Sequence, residues 1–326
     1  MDAHELLTRN AVEAVTEEEV RELAADPEGK RAYVGYEPSG ALHLGHMLTA
    51  NKLIDLQEAG MQVVVLLADV HAYLNDKGTF EEIEATAEAM REQFLAYGLD
   101  EERTEFVYGS SFQLEEDYLL DLHEIAVDTT LSRAQRAMAE LQGGETAKVS
   151  HVVYPLMQAL DIEYLDLDLA VGGLDQRKVH MLAREELPEL GYEVRPAIHT
   201  PILADIATGV GKMAASSGVN ISLSDSREDL EAKINDAFCP PTRDPEPDEA
   251  GNERENPVLQ LFQYHVFPRF ESVTVERPEE YGGDVTYESY ENLATAMEGG
   301  DLHPMDAKGT LVEYLDDLMA PAREKL

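Results

Sequence analysis

Residues 61–68 form an almost unbroken apolar run rich in β-branched side chains, the pattern of a strand buried on both faces. The segments around it alternate in period. Residues 31–35 read as a strand, and residues 44–59 as a helix stopped by Gly60. Thr79, followed by acidic residues, caps a helix that ends at Gly98, and residues 104–108 make the next strand. This β-α-β-α-β order with short connections predicts an α/β fold with a doubly wound parallel sheet. Residues 1–30 read as helical, with Thr16-Glu17-Glu18-Glu19 as a cap and acidic first turn. Residues 115–142 read as a helix ended by Gly143-Gly144, residues 149–164 as another, and residues 165–171 as a strand. From Ser222 onward helical patterns dominate, with residues 287–297 and 304–319 the last helices. Residues 240–257 are polar, acidic and Pro-rich, which reads as a flexible insertion.

Composition narrows the class. A length of 326 residues with 44% apolar content predicts a globular chain of two domains. The apolar runs are too short to span a bilayer, and no charged-then-apolar leader opens the chain. The single cysteine, Cys239, excludes an internal disulfide and a cysteine-based zinc cluster, and the expected compartment is the cytoplasm. The formal net charge is −41, with nine lysines against sixteen arginines. So acidic a chain with so ample a core implies a salt-filled host cytoplasm, where screening within about 3 Å at molar salt makes self-repulsion tolerable. Charge alone opposes a nucleic-acid partner, but in high salt that objection is weak.

The candidate chemistry begins where the first strand meets the first long helix. His43-Leu44-Gly45-His46 sits at that turn, and 10 His and 22 Gly in 326 residues give only about 0.02 chance matches to His-x-Gly-His. A strand feeding a helix N-terminus predicts an anion site of backbone N–H groups. Gly45 lets a base or ribose approach, and His43 and His46 can donate to phosphate oxygens. The plain alternative is two ordinary histidines on an amphipathic helix. Further on, Gly172-Gly173-Leu174-Asp175-Gln176 follows a strand, where open α/β sheets bind ligands. Residues 209–218 form a small-residue loop whose one cation is Lys212, suited to phosphates or else a solvated linker. Asp161 lies between Leu160 and Ile162, which favours a buried carboxylate over an exposed one.

His-x-Gly-His early, Gly-Gly-x-Asp-Gln in the middle and Lys-Met-x-x-Ser late resembles the class I aminoacyl-tRNA synthetases. The likeness is nearest to their archaeal/eukaryotic-type tyrosyl branch and runs essentially end to end. It rests on residues 33–46, 66–75, 154–158, 171–181 and 302–306. The resemblance implies a Rossmann-like catalytic domain over residues 1–221, with a helical insertion at about 109–148 and a mobile loop at 205–220. A mostly helical anticodon-binding domain would follow over residues 222–326, with the acidic insertion at about 240–257. It implies that Tyr33 and Asp161 bond the phenol of tyrosine, that Tyr154, Gln158 and Gln176 hold its amino group, and that Leu66, His71 and Gln113 line the pocket. Gly35, His43, Gly45, His46, Gly172, Asp175, Lys212, Met213 and Ser216 would serve ATP, with His43, His46 and Lys212 catalytic. Arg136, Arg177 and Lys178 would meet the acceptor end of tRNA(Tyr), and Tyr281, His303 and Asp306 the first anticodon base.

The implied reaction is attack of the tyrosine carboxylate on the α-phosphorus of ATP, then transfer of the acyl group to the tRNA 3′ end. It asks for positioning and charge stabilisation, and the residue inventory offers no nucleophile. Mg²⁺ would accompany ATP on its phosphates, with no resident metal site. A homodimer is a further implication. One departure stands out: the mobile loop reads Lys212-Met213-Ala214-Ala215-Ser216, lacking two hydroxyls of the family pattern. The alternatives left open are a tryptophanyl-tRNA synthetase, a small-molecule nucleotidyltransferase and a catalytically silent relative that binds tRNA.

Overall fold

The computed structural model describes residues 1–138, 148–213 and 219–326. Gly143-Gly144, Ala214, Ala215 and Ser216, singled out above, lie outside the described residues.

The chain divides into two compact units, residues 1–40 with 49–201, and residues 41–48 with 202–326. The first is built on six strands: β1 (Glu13–Val15), β2 (Arg31–Tyr36), β3 (Gln62–Leu67), β4 (Thr104–Tyr108), β5 (Leu169–Gly173) and β6 (Ala197–Thr200). Their order is β1-β6-β5-β2-β3-β4, parallel throughout except for β1 on β6. Val63 to Leu67 of β3 are buried to within 2% exposure, as a central strand covered on both faces requires. The order runs outward in both directions from β2, so the crevice that open α/β sheets use for ligands lies at the carboxyl ends of β2 and β5. Gly35 stands opposite Leu66 in that register, and Tyr33 is flanked by Val64 and Ala170.

Local signals decide the helix starts. Thr16 and Thr79 each form a capping box with Glu19 and Glu82, opening the helices Glu17–Ala25 and Phe80–Tyr97. Other expectations need correction. The first 30 residues are not all helical, because residues 13–15 pair with β6 as an edge strand too short to show a period. The helix expected over 115–142 is broken into Glu116–Asp128 and Leu131–Ala137, where Thr130 accepts from the Arg133 N–H and starts a new helix. β5 begins four residues later than expected. Residues 165–168 first finish a turn with Asp166 at φ 50°, and Asp168 accepts from the Arg31 N–H. A short helix, Asp69–Leu74, follows β3 unforeseen.

The second unit is mostly helical. Arg227–Asn235 packs along Pro304–Arg323, with Leu311 and Leu315 buried and Lys308 bonded to the Asn235 carbonyl. It also holds a hairpin, β7 (Val273–Val275) with β8 (Val285–Tyr287), where helix had been expected from residue 287; Ser289 caps the helix Tyr290–Gly299 instead. Residues 240–256 contain no helix, Pro257 already opens the helix Pro257–Leu261, and the ends of the segment are drawn together by Asn256, which donates to the carbonyls of Pro240 and Thr242.

A charge of −41 makes this fold salt-dependent. Its thermal midpoint should fall steadily as KCl is lowered from about 3 M to about 0.1 M, since the Debye length grows to about 10 Å. A flat midpoint would remove the reading of a salt-adapted chain.

Candidate active site

In the first unit, residues from four elements meet around a buried carboxylate. Asp161, on the helix Ser150–Tyr164, is wholly buried. Its Oδ1 accepts from Gln113 Nε2 at 2.7 Å and from the Tyr118 hydroxyl at 2.9 Å. Gln113 Nε2 also lies 3.3 Å from His71 Nδ1. An amide nitrogen can only donate, so His71 Nδ1 is the bare nitrogen and its Nε2 carries the proton. Among the described residues that Nε2 has no hydrogen-bond partner, and neither has Asp161 Oδ2, 3.8 Å away, or Gln113 Oε1. Burial holds His71 neutral, with its pKa down at about 4, and raises Asp161 to about 7 against the lowering bonds from Gln113 and Tyr118. Burial and then the charge of Asp161 also raise the Tyr33 phenol well above its usual value, keeping it protonated. Leaving such groups unpaired inside a protein is costly. A hydroxyl placed among them would accept from His71 and donate to Asp161. Tyr118 is part of this site and was not singled out in sequence, where it looks like one more apolar position of a helix.

Leu66 and Gly35 extend the same surface; a Cβ on Gly35 would lie 3.6 Å from Leu66 and 3.7 Å from the Tyr33 ring. The His71 and Tyr154 rings meet edge to face at 4.5 Å, and the Tyr154 hydroxyl donates to Glu37 at 3.2 Å. Glu37 also takes Asn75 and Lys77, so it anchors this rim, a role invisible in sequence. Gln158 Nε2 donates to Gln176 Oε1 at 2.8 Å. Gly172 makes room for Gln176, whose Cβ would be 3.0 Å from any Cβ there, and the Asp175 carboxylate lies against Gly173.

In the second unit, His43 and His46 stack with ring centroids 3.8 Å apart. His43 stands one residue before the helix Leu44–Glu58, and the stacking keeps it on the side of His46. The expected backbone anion site is also spent: the Leu44 N–H bonds the Ile221 carbonyl, and the Gly45 N–H bonds His43 Nδ1 at 3.1 Å. The His43 N–H in turn lies 3.4 Å from His46 Nδ1. With both Nδ1 atoms accepting, both rings carry their proton on Nε2. Gly45 is needed within the chain, since a Cβ would come within 2.9 Å of the His43 ring. Burial, and then the Lys212 charge, lowers His43 to about 4; burial, and then the His43 and Lys212 charges, hold His46 well below its ordinary value. Two neutral N–H donors beside one exposed ammonium make a cluster suited to phosphate oxygens. Met213 is buried, and its N–H bonds the Leu203 carbonyl at 2.7 Å.

Arg136, Arg177 and Lys178 are exposed. Arg133 bonds both Glu185 and the Lys178 carbonyl, tying the helix Leu131–Ala137 to the helix Arg177–Glu186 that carries two of them. In the second unit Tyr281 is 68% exposed. His303 caps the helix Pro304–Arg323, its Nδ1 accepting from Met305 N–H, so Asp306 in the first turn is not the cap. Arg277 links the segments carrying Tyr281 and His303 by bonds to the Gly283 and Asp301 carbonyls, and sequence reading missed it. Among the described residues no group of three or more His, Cys, Asp or Glu could hold a metal ion, and no helix is long and apolar enough to cross a membrane.

The family model described as tRNA synthetases class I (W and Y) matches residues 27–320. A tyrosine–tRNA ligase of Halobacterium salinarum is 71% identical over 326 residues, 100% of this chain and 98% of the relative. One of Archaeoglobus fulgidus is 53% identical over 322 residues, covering 98% and 96%. The crystal structure of the tyrosyl-tRNA synthetase of Archaeoglobus fulgidus, complexed with L-tyrosine, matches with a TM-score of 0.91 at 52% identity, covering 99% of this chain and 98% of that one. The tryptophanyl-tRNA synthetase of Giardia lamblia matches with a TM-score of 0.70 at 20% identity, covering 95% and 82%, a likeness of fold alone.

Proposed function

The chain belongs to the class I tRNA synthetases of the tryptophan and tyrosine group, and from that premise we propose how its residues divide the work of a tyrosine–tRNA ligase. The activity is ligation of tyrosine, not tryptophan, to tRNA with ATP as substrate. The observation that carries the assignment of residues is the set of unpaired polar atoms on His71, Asp161 and Gln113. A phenol hydroxyl satisfies a donor and an acceptor there at once, and a phenyl ring satisfies neither.

Tyr33, Asp161, His71 and Gln113 take the phenol end, with Leu66 against the ring. Tyr154, Gln158 and Gln176 take the α-amino group. The tyrosine carboxylate attacks the α-phosphorus of ATP, the bond to the β-phosphate oxygen breaks, and pyrophosphate leaves. The Nε2–H groups of His43 and His46 and the Lys212 ammonium stabilise the charge that builds on the phosphate oxygens. Gly35, Gly45, Gly172, Asp175, Met213 and Ser216 complete the ATP site. Mg²⁺ would come with ATP, bound to its phosphates, since among the described residues no group of three or more His, Cys, Asp or Glu is placed to hold it. A ribose hydroxyl at the tRNA 3′ end then attacks the acyl carbon and releases AMP.

Residues 1–221 carry activation and residues 222–326 read the anticodon through Tyr281, His303 and Asp306, with Arg136, Arg177 and Lys178 on the acceptor end. The assembly is a homodimer of the cytoplasm. Leu120, Val127 and Leu131, 57%, 82% and 60% exposed, support a second copy covering the helices Glu116–Asp128 and Leu131–Ala137.

The test is amino-acid-dependent ATP–pyrophosphate exchange in multimolar KCl. Tyrosine should support exchange, and phenylalanine and tryptophan should not. Exchange with tryptophan, or with none of them, would overturn the assignment.

A further inference from the structure

Next to the Gly172–Gln176 turn runs a line of four polar side chains that the activation chemistry does not use. Arg177 Nε donates to both carboxylate oxygens of Glu13 at 2.8 Å. Glu13 Oε2 lies 2.8 Å from His199 Nδ1. His199 Nε2 lies 3.0 Å from His180 Nδ1, and the two rings stack with centroids 5.1 Å apart. At the inner end, a Cβ built on Gly172 would meet Gln176 Cβ at 3.0 Å and His180 Cε1 at 3.3 Å. His180 and Gln176 therefore close together on the bare Cα of Gly172. The line starts at the surface, with Arg177 exposed, and ends with two histidines at 0% and 2% exposure.

One arrangement of protons suits the whole line. Glu13 is ionised: burial pushes its pKa up, but the Arg177 and His199 partners outweigh that and hold it low. It can only accept, and its 2.8 Å approach to His199 Nδ1, though off the angle of a hydrogen bond, favours the proton on that nitrogen and leaves Nε2 bare. His180 must then donate from Nδ1. Both rings stay neutral through burial. A buried imidazole with such a partner has its tautomer and ring orientation set, as ligating histidines have theirs set by carboxylates behind them.

We propose that His180 is the positioning residue for Gln176, and that Glu13 and His199 hold it in place, so that the surface pair Glu13–Arg177 governs how firmly the amino end of tyrosine is bound. This rests on the reading that Gln176 holds that amino group. His180 touches neither substrate nor reacting atoms; it shares with Gln176 the space over the Cα of Gly172, and Gln176 in turn accepts from Gln158.

The experiment is tyrosine-dependent pyrophosphate exchange without tRNA, read as KM and kcat separately. Gln176→Ala comes first, and if it leaves the tyrosine KM unchanged the reading of the amino site fails. Given that it raises KM, His180→Ala should raise KM about tenfold with kcat within about twofold, the signature of a misplaced binding group. His180→Asn, whose amide N–H can still reach His199 Nε2, should recover most of the loss. Glu13→Ala, acting from the far end, should raise KM about threefold. On the Gln176→Ala background His180→Ala should add nothing, whereas a general loosening of the fold would add its full effect. A wild-type KM in His180→Ala, a kcat that falls by as large a factor as KM rises, additivity in the double variant, or no effect of Glu13→Ala would each overturn the proposal.

Discussion

Asp161→Asn should lower the preference for tyrosine over phenylalanine in activation by about 10²-fold, the worth of a buried hydrogen bond to a charged group. The variant keeps the shape of the site but turns an acceptor toward Gln113 and Tyr118 into a mixed donor and acceptor. Wild-type binding should also depend on pH. Asp161 titrates at about 7, and only its ionised form accepts from a phenol at Oδ2 without competition from its own proton. The tyrosine KM should therefore fall as pH rises from about 6 to about 8, a trend absent from Asp161→Asn. Stability moves the other way. The folded value of about 7 lies above the ordinary 3.8, so the folded state keeps a proton that the unfolded chain releases between those limits. Wild-type stability contributed by this group is full below about pH 4 and lost as pH rises through 7. The Asn variant escapes that loss and should melt higher than wild type at pH 8 and no higher at pH 4. Loss of selectivity in a variant that is more stable cannot be laid to unfolding. An unchanged tyrosine preference would remove Asp161 from the site.

His46→Ala should slow formation of the enzyme-bound tyrosyl-adenylate by about 10²- to 10³-fold with the tyrosine KM little changed. The lost group is an N–H donor whose partner charge appears only as the α-phosphorus is attacked. Its direction is set by the bond to its Nδ1 and by the stacked His43. Because burial holds His43 down at about 4 and His46 well below its ordinary value, neither gains a proton at working pH. The wild-type activation rate at saturating tyrosine should therefore show no histidine limb between pH 6 and 8, whereas the tyrosine KM does move. Stopped-flow measurement of a single turnover separates the two. A wild-type rate in His46→Ala, or a rate that drops on acidification to pH 6, would remove the neutral histidine pair from the mechanism.

Sequence alone was enough wherever the physics is local. The capping boxes at Thr16 and Thr79 join residues three apart, the apolar run in β3 needs no partner to be read as buried, and both were found where expected. The order of motifs sufficed to assign the family, because His43 to His46, Gly172 to Gln176 and Lys212 are short contiguous signatures. Tertiary structure alone decided the rest, because it concerns groups far apart in the chain. β1 exists only by pairing with β6, some 180 residues later. Tyr118 and Glu37 join the pocket through bonds to residues 43 and 117 positions away. The proton positions on His71, His43, His46, His180 and His199 follow from which neighbour occupies the other ring nitrogen. A histidine has the same two nitrogens in any sequence, and only the packed surroundings determine which of them is left to act.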